Sequence, residues 1–319
     1  MNYYLFKLRF TSAVHFGPSD SALSLYTSAD HFCADTLFSA LCHTASELRG
    51  PLGIAQLVDY VQSGKLAFTD SMPWHRELYF LPKPYLHTEN RAEIPAALRK
   101  QMKKLQWIDA GAFPDFAASV QGGEPFQPLQ ADFGLYSNQV RVNMSEEAPV
   151  PYLVGTYEFC SDSGLYFLAA CGDEGIAGYL KDLVELLGIS GIGGKTSSGL
   201  GRFSLLSAQP LAESSAPALQ WLNRALQDTG APRQLLLTAS LPGDEELDAA
   251  LEGANYQMIR RGGFAQSSDE TYYKKRTQYF LAAGSVLRKR FQGMLHDVGG
   301  SDAHPVYRYA IPVFLGVTL

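Results

Sequence analysis

Gly188-Ile189-Ser190-Gly191-Ile192-Gly193-Gly194-Lys195-Thr196-Ser197-Ser198-Gly199-Leu200-Gly201-Arg202-Phe203 holds six glycines between Gly188 and Gly201. Much of its backbone is free of Cβ atoms, so a polyanion can approach the N–H groups closely. Lys195 and Arg202 add charge, and Thr196, Ser197 and Ser198 add hydroxyl donors. Two nucleotide-binding patterns fail here. G-x-x-x-x-G-K-[ST] needs a glycine where Ile189 stands, and G-x-G-x-x-G begun at Gly191 meets Thr196 in its third glycine position. A flexible glycine–serine surface loop is the plainer alternative.

The flanks settle the context. Ile176, Leu180, Leu183, Val184 and Leu187 recur at helical spacing before the loop, with Gly188 placed as a stop. Gly201 to Leu206 reads as a strand after it. A P-loop runs strand, loop, helix, and this order is the reverse. Further out, Tyr3 to Thr11 alternates as a strand with one apolar face, Tyr4, Phe6, Leu8 and Phe10. A turn-rich loop from His15 to Asp20 follows. Leu37, Phe38, Leu41, Ala45 and Leu48 then form a helical stripe, with Asp35 placed to cap it and Gly50-Pro51 to end it. Strands return near 138–143, 152–160 and 165–171. The N-terminal half thus reads strand, helix, strands, helix, strand, compatible with a ferredoxin-like βαββαβ unit.

Between these elements, residues 72–150 are rich in proline and carry the basic run Arg99-Lys100-Gln101-Met102-Lys103-Lys104. We read about 74–137 as an insertion or extended arm on a first domain spanning 1–207. Residues 208–218 read as a linker, within a connecting segment that reaches 232. Gln234 to Leu241, Tyr256 to Arg261, Tyr272 to Ala282 and Tyr307 to Val317 read as strands of a smaller α+β domain, 233–319, with a short acidic helix over Glu245 to Leu251.

The composition is that of an ordinary globular chain, 319 residues with 46% apolar and 18% charged. Charges interrupt the N-terminus and no apolar run has spanning length, so a cytoplasmic protein away from membranes is expected. Cys33, Cys42, Cys160 and Cys171 show no CxxC spacing and read as free thiols. Net charge is −6, which argues against nonspecific coating of nucleic acid. Arg260, Arg261, Lys274, Lys275, Arg276, Arg288, Lys289 and Arg290 nevertheless cluster late in the chain. They are either one polyanion site or a face neutralised in space.

Gly191 to Phe203, between the last helix and last strand of such a half, resembles the signature loop of the RAMP superfamily. Further segments resemble one group within it. They are Leu8-Arg9-Phe10 through His15-Phe16-Gly17, Asp35-Thr36-Leu37-Phe38-Ser39-Ala40-Leu41, Leu81-Pro82-Lys83-Pro84-Tyr85-Leu86, Lys274-Lys275-Arg276-Thr277-Gln278-Tyr279 and His304-Pro305-Val306-Tyr307-Arg308-Tyr309. That group caps the 5′ handle of CRISPR RNA (crRNA) in type III-A (Csm) effector complexes. The resemblance implies an α+β protein of two ferredoxin-like (RRM-like) domains, with a thumb-like arm from about Trp74 to Arg141 reaching along the RNA. It implies contacts with crRNA, with the large polymerase-like subunit and with the first backbone subunit, target RNA being met only indirectly. It also implies a subunit that is not the nuclease and needs no cofactor.

The expected RNA contacts are His15, Gly191, Gly193, Gly194, Lys195, Thr196, Ser197, Ser198 and Arg202, with Lys83, Arg141, Arg260 and Lys275 as outlying phosphate ligands. Tyr85 and Trp107 are candidates for base stacking. His15 stands where some RNA-processing relatives carry a catalytic histidine, so a metal-independent endoribonuclease acting on CRISPR precursor RNA is the alternative function. It would need a second acid–base partner, and the sequence offers none. Asp20, Asp30 and Asp35 occupy the region where related backbone subunits carry a cleavage aspartate, but Asp35 is accounted for as a cap. His31, Cys33, Cys42 and His43 lack the spacing of a zinc site, so no metal is expected.

Overall fold

The computed structural model describes residues 1–17, 22–86, 96–122, 124–144, 149–266, 272–299 and 305–319. Asp20 and His304 lie outside the described residues. The opening alternation forms β1 (Asn2–Phe10). Tyr4, Phe6 and Leu8 enter one core as expected, but Leu5 is fully buried in a second core on the opposite face. The strand is therefore covered on both sides.

The apolar stripe forms α1 (Ala34–Arg49), burying Leu37, Phe38, Leu41 and Ala45. Asp35 does not cap it. The N-cap position is Cys33, and no side chain of the helix's own entry makes a capping bond. The Ala34 N–H instead donates to Asp70 Oδ1 at 2.7 Å. The other oxygen of Asp70 accepts from the Ala239 N–H at 3.0 Å, so one buried carboxylate joins the helix start to the C-terminal half. Burial pushes the Asp70 carboxyl up to about 6. Gly50, at φ 60°, ends α1, and Pro51 opens α2 (Pro51–Gln62) directly behind it.

The chain continues through β2 (Leu66–Phe68), β3 (Met72–His75), β4 (Leu78–Pro82), α3 (Ala96–Lys104), β5 (Trp107–Asp109) and α4 (Phe113–Val120). The hairpin β6 (Gly134–Met144) and β7 (Pro149–Phe159) leads to β8 (Ser163–Cys171), α5 (Glu174–Ser190) and β9 (Phe203–Pro210). The large sheet runs β5-β4-β3-β8-β1-β9, with β2 also on β8. Its pairings are antiparallel. Helices α1 and α5 pack their apolar stripes into the first core.

The expected arm beginning near Trp74 is not what forms there. Trp74 is 2% exposed and its Nε1 donates to Leu8 O at 2.9 Å, so β3 and β4 are strands of the large sheet. Phe113 and Phe116 of α4 are buried in the second core. The β6–β7 hairpin is instead a separate two-stranded sheet, paired from Gly134↔Phe159 to Met144↔Pro149. Gly188 is not a stop either. Helix α5 runs on to Ser190 and ends at Gly191, φ 91°. Gly188 is there because a Cβ would lie 2.4 Å from Phe203 O.

The expected linker is largely ordered structure. Strand β9 continues to Pro210, opposite Tyr4, and α6 (Pro217–Gln227) buries Leu219, Leu222 and Leu226. After it come β10 (Arg233–Leu236), α7 (Leu247–Leu251), β11 (Met258–Arg261), β12 (Phe264–Gln266), β13 (Tyr272–Lys274) and β14 (Gln278–Leu281). The last elements are β15 (Val286–Leu287), β16 (Leu295–Asp297), β17 (Tyr307–Tyr309) and β18 (Phe314–Val317). They make the sheet β15-β10-β18 and the ribbons β11–β14, β12–β13 and β16–β17. The strands expected over 272–282 and 307–317 each break in two, because the backbone changes partner: β13 pairs with β12 but β14 with β11, and β17 pairs with β16 but β18 with β10.

One core spans both halves. Leu5, Met72, Trp74 and Leu168 of the large sheet meet Leu222, Leu235, Val286 and Leu315. Tyr309 crosses to the other side, stacking on Phe68 at 4.5 Å, and its hydroxyl accepts from the Phe68 N–H. Among the described residues, no helix is long and apolar enough to cross a membrane.

Candidate nucleic-acid interface

The segment after β1 holds the glycine-rich loop on one side and the β6–β7 hairpin on the other. Toward the loop, Thr11 N–H donates to Arg202 O at 2.9 Å, Gly201 N–H to Ala13 O at 2.9 Å and Gly194 N–H to His15 O at 2.8 Å. Arg202 N–H donates to Ser12 Oγ at 3.0 Å. Toward the hairpin, Val14 and Tyr157 exchange both backbone hydrogen bonds, at 2.8 and 2.9 Å. Buried Ile192 and Leu200 anchor the loop.

His15 lies between the two. It is 7% exposed, and its Nδ1–H donates to Gly155 O at 2.7 Å. A Cβ on Gly194 would lie 2.6 Å from His15 Cδ2, so that glycine is required by packing on the imidazole. The expected openness of the loop is thus partly spent inside the protein.

Lys195 adopts the left-handed conformation at φ 62°, and the turn Thr196–Ser198 follows it. Among the described residues, the N–H groups of Gly193, Lys195, Thr196 and Ser197 have no protein acceptor. Lys195 Nζ stands 5.4 Å from the centroid of the Tyr152 ring. Tyr152 is directly opposite Arg141 in the hairpin, and directly paired residues project from the same face. Arg141 Nη2 donates to Gln139 Oε1 at 3.1 Å. His15, the loop and Arg141 are therefore brought together, with Ser197, Ser198 and Arg202 exposed at the rim.

The other expected cations lie elsewhere. Lys83, at the end of β4, donates through Nζ to Met102 O, and burial lowers its pKa. Lys275 is half-buried, its pKa lowered by burial and by Arg308. Arg260 is exposed on β11, opposite Tyr279. Much of the late basic cluster is used internally. Asp35 receives Arg261 bidentately, Nη2 at 2.6 Å and Nε at 3.0 Å, and Arg308 Nε lies 3.9 Å away. Arg290 donates to Gln234 Oε1 at 2.6 Å and Asp228 O at 2.8 Å, and Lys289 pairs with Glu252 at 3.5 Å.

Tyr85 and Trp107 are partly buried, Trp107 edge-on to His31 at 5.2 Å. Asp30 accepts from His31 Nδ1–H at 2.7 Å. Burial raises the Asp30 pKa, and the His31 contact outweighs it, so the net direction is down. Burial pushes the Cys33 and Cys42 thiols up, Cys42 to about 12, making them poor metal ligands. Among the described residues, no group of three or more His, Cys, Asp and Glu is placed to hold a metal. Sequence reasoning missed Tyr152 and Gly155. The signal for Tyr152 was an aromatic opposite an arginine, visible only once the hairpin register is known.

A family model described as the CRISPR Csm4 C-terminal domain matches residues 229–317. The chain is 36% identical over 324 residues to the CRISPR system Cms protein Csm4 of Mycobacterium tuberculosis (strain ATCC 25618 / H37Rv), covering 99% of this chain and 98% of the relative. It is 32% identical to the Csm4 protein of Streptococcus thermophilus, covering 98% of each. Among solved structures, the Csm3–Csm4 subcomplex of a type III-A CRISPR-Cas interference complex contains a chain matched at TM-score 0.66 and 17% identity, over 99% of both chains. A Csm1–Csm4 cassette in complex with pppApA contains one matched at TM-score 0.63 and 20% identity, over 99% of this chain and 98% of that one. At such identities the structural likeness speaks for the fold alone.

Proposed function

This chain belongs to the Csm4 family of RAMP subunits in type III CRISPR complexes, and from that membership we propose that it binds the 5′ handle of the crRNA without catalysing a reaction. The observation that carries the proposal is the convergence of the glycine loop, His15 and the Arg141-bearing hairpin on residues 11–15. It offers backbone donors and cations side by side, which suits a single RNA strand. The large polymerase-like subunit and the backbone subunit are the proposed neighbours, since solved relatives are held with Csm1 and with Csm3. A cytoplasmic location belongs to the same proposal.

The strand order β9-β1-β8-β3 with two crossing helices supports a ferredoxin-like N-terminal unit over 1–207. The family match over 229–317 supports a C-terminal unit over 233–319, proposed as the second of that kind. The thumb-like reach along RNA is assigned to the β6–β7 hairpin, whose Val140, Val142 and Leu153 are exposed. Arg260 is retained as an outlying RNA contact, and Lys83 and Lys275 are assigned structural roles. The burial of His15 and its fixed Nδ1–H favour positioning over cleavage.

The test is guide retention by complexes carrying Lys195→Ala with Arg202→Ala. We expect weaker retention, and a log–log salt dependence shallower by roughly 0.7 in slope for each phosphate that is no longer neutralised. Unchanged retention and slope would refute the role of the loop.

A further inference from the structure

Lys195 and Arg76 are the only non-glycine residues at positive φ among the described residues. A side chain in that conformation costs roughly 1–2 kcal/mol, and such strain collects where backbone groups are being aimed. Here the N–H groups of Lys195, Thr196 and Ser197 have no protein acceptor among the described residues. Beside them the Tyr152 ring is partly exposed, with the Lys195 ammonium 5.4 Å from its centroid. Arg141, across the hairpin from Tyr152, uses its guanidinium on Gln139 alone among the described residues. Lys195, Arg141 and Arg202 enter no ion pair among the described residues.

Resting on the reading that this face meets the guide, we propose that Tyr152 and the Lys195–Ser197 turn form a subsite for one unpaired ribonucleotide. Its phosphate sits on the N–H groups of Lys195, Thr196 and Ser197, a concavity of the kind that binds anions. Its base stacks on Tyr152, with Arg141 at the edge of the ring. The Lys195 ammonium occupies the ring face in the free protein and moves to the phosphate when RNA enters. Stacking of this type tolerates any base, because every base has a π-face. The subsite therefore fixes the position of one nucleotide rather than its identity.

Reconstituted complexes with guides bearing 4-thiouridine at single handle positions test this, with crosslinked peptides identified by mass spectrometry. One position is expected to crosslink to the peptide containing Tyr152. Tyr152→Leu should remove that crosslink and weaken guide binding by about tenfold to a hundredfold, and Tyr152→Phe should preserve both. If guides crosslink to the glycine loop but at no position to the Tyr152 peptide, or if Tyr152→Leu changes nothing, the subsite is wrong and the RNA-binding reading stands. If no position crosslinks to this chain, the broader reading fails and the subsite with it. Should Tyr152→Leu not fold, the wild-type and Tyr152→Phe crosslinks still decide.

Discussion

His15 donates its Nδ1–H to the carbonyl of Gly155 at 2.7 Å, across 140 positions of sequence. That bond fastens the loop after β1 to the hairpin, while the carbonyl of His15 itself holds Gly194. His15→Ala should cost about 2 kcal/mol, since it leaves a buried carbonyl unpaired and a void. Denaturant unfolding measures the loss. Limited proteolysis should show the hairpin opening first, and the wild-type chain should not cleave labelled precursor RNA.

Two glycines of α5 should respond oppositely to alanine. Gly188→Ala drives a Cβ toward Phe203 O at 2.4 Å and should destabilise by about 1–3 kcal/mol. Gly178→Ala meets nothing within 4 Å and should stabilise by roughly 0.5–1 kcal/mol. Paired thermal melts of the two variants check the contrast.

The Asp35–Arg261 pair joins α1 to β11. Removing Arg261 leaves the buried Asp35 carboxylate facing only the more distant Arg308, at 3.9 Å, so Arg261→Ala should cost toward the lower end of about 3–5 kcal/mol. Asp35→Ala combined with Arg261→Ala should cost less than the sum of the singles. A double-mutant cycle in denaturant reads the coupling directly.

Asp70 makes stability depend on pH in the less common direction for a carboxylate. Its folded pKa, about 6, lies above the ordinary 3.8. The folded state therefore binds the proton more tightly. The contribution is full below pH 3.8 and is lost as pH rises through 6, a span of roughly 3 kcal/mol. Asp70→Asn should flatten this part of the profile, while lowering stability because one of the two backbone donors loses its acceptor. Urea unfolding between about pH 4 and 8 measures both effects.

Periodic elements with local causes were legible in the sequence. The alternation of β1 and the stripe Leu37, Phe38, Leu41, Ala45 announced themselves, and so did the loop between α5 and β9. What failed depended on partners far along the chain. Asp35 looked like a cap because its ion-pair partner lies 226 residues away. Gly188 looked like a stop because the close carbonyl of Phe203 is a tertiary fact. Residues 72–82 looked irregular because strands of four and five residues carry little periodicity. The α6 stripe Leu219, Leu222, Leu226 spans a helix of only 11 residues directly behind a proline- and serine-rich segment, so its period is short and its start carries turn-forming residues. At the site, the sequence supplied the loop and Arg141, and the hairpin register supplied Tyr152.

The most direct test compares complexes assembled on guides with an intact 5′ handle and on guides lacking it, measuring guide occupancy and crosslinks to this chain. The account predicts high occupancy and crosslinks to the glycine loop with the intact handle, and loss of both without it. Equal occupancy with an unchanged crosslink pattern on handle-less guides would contradict it.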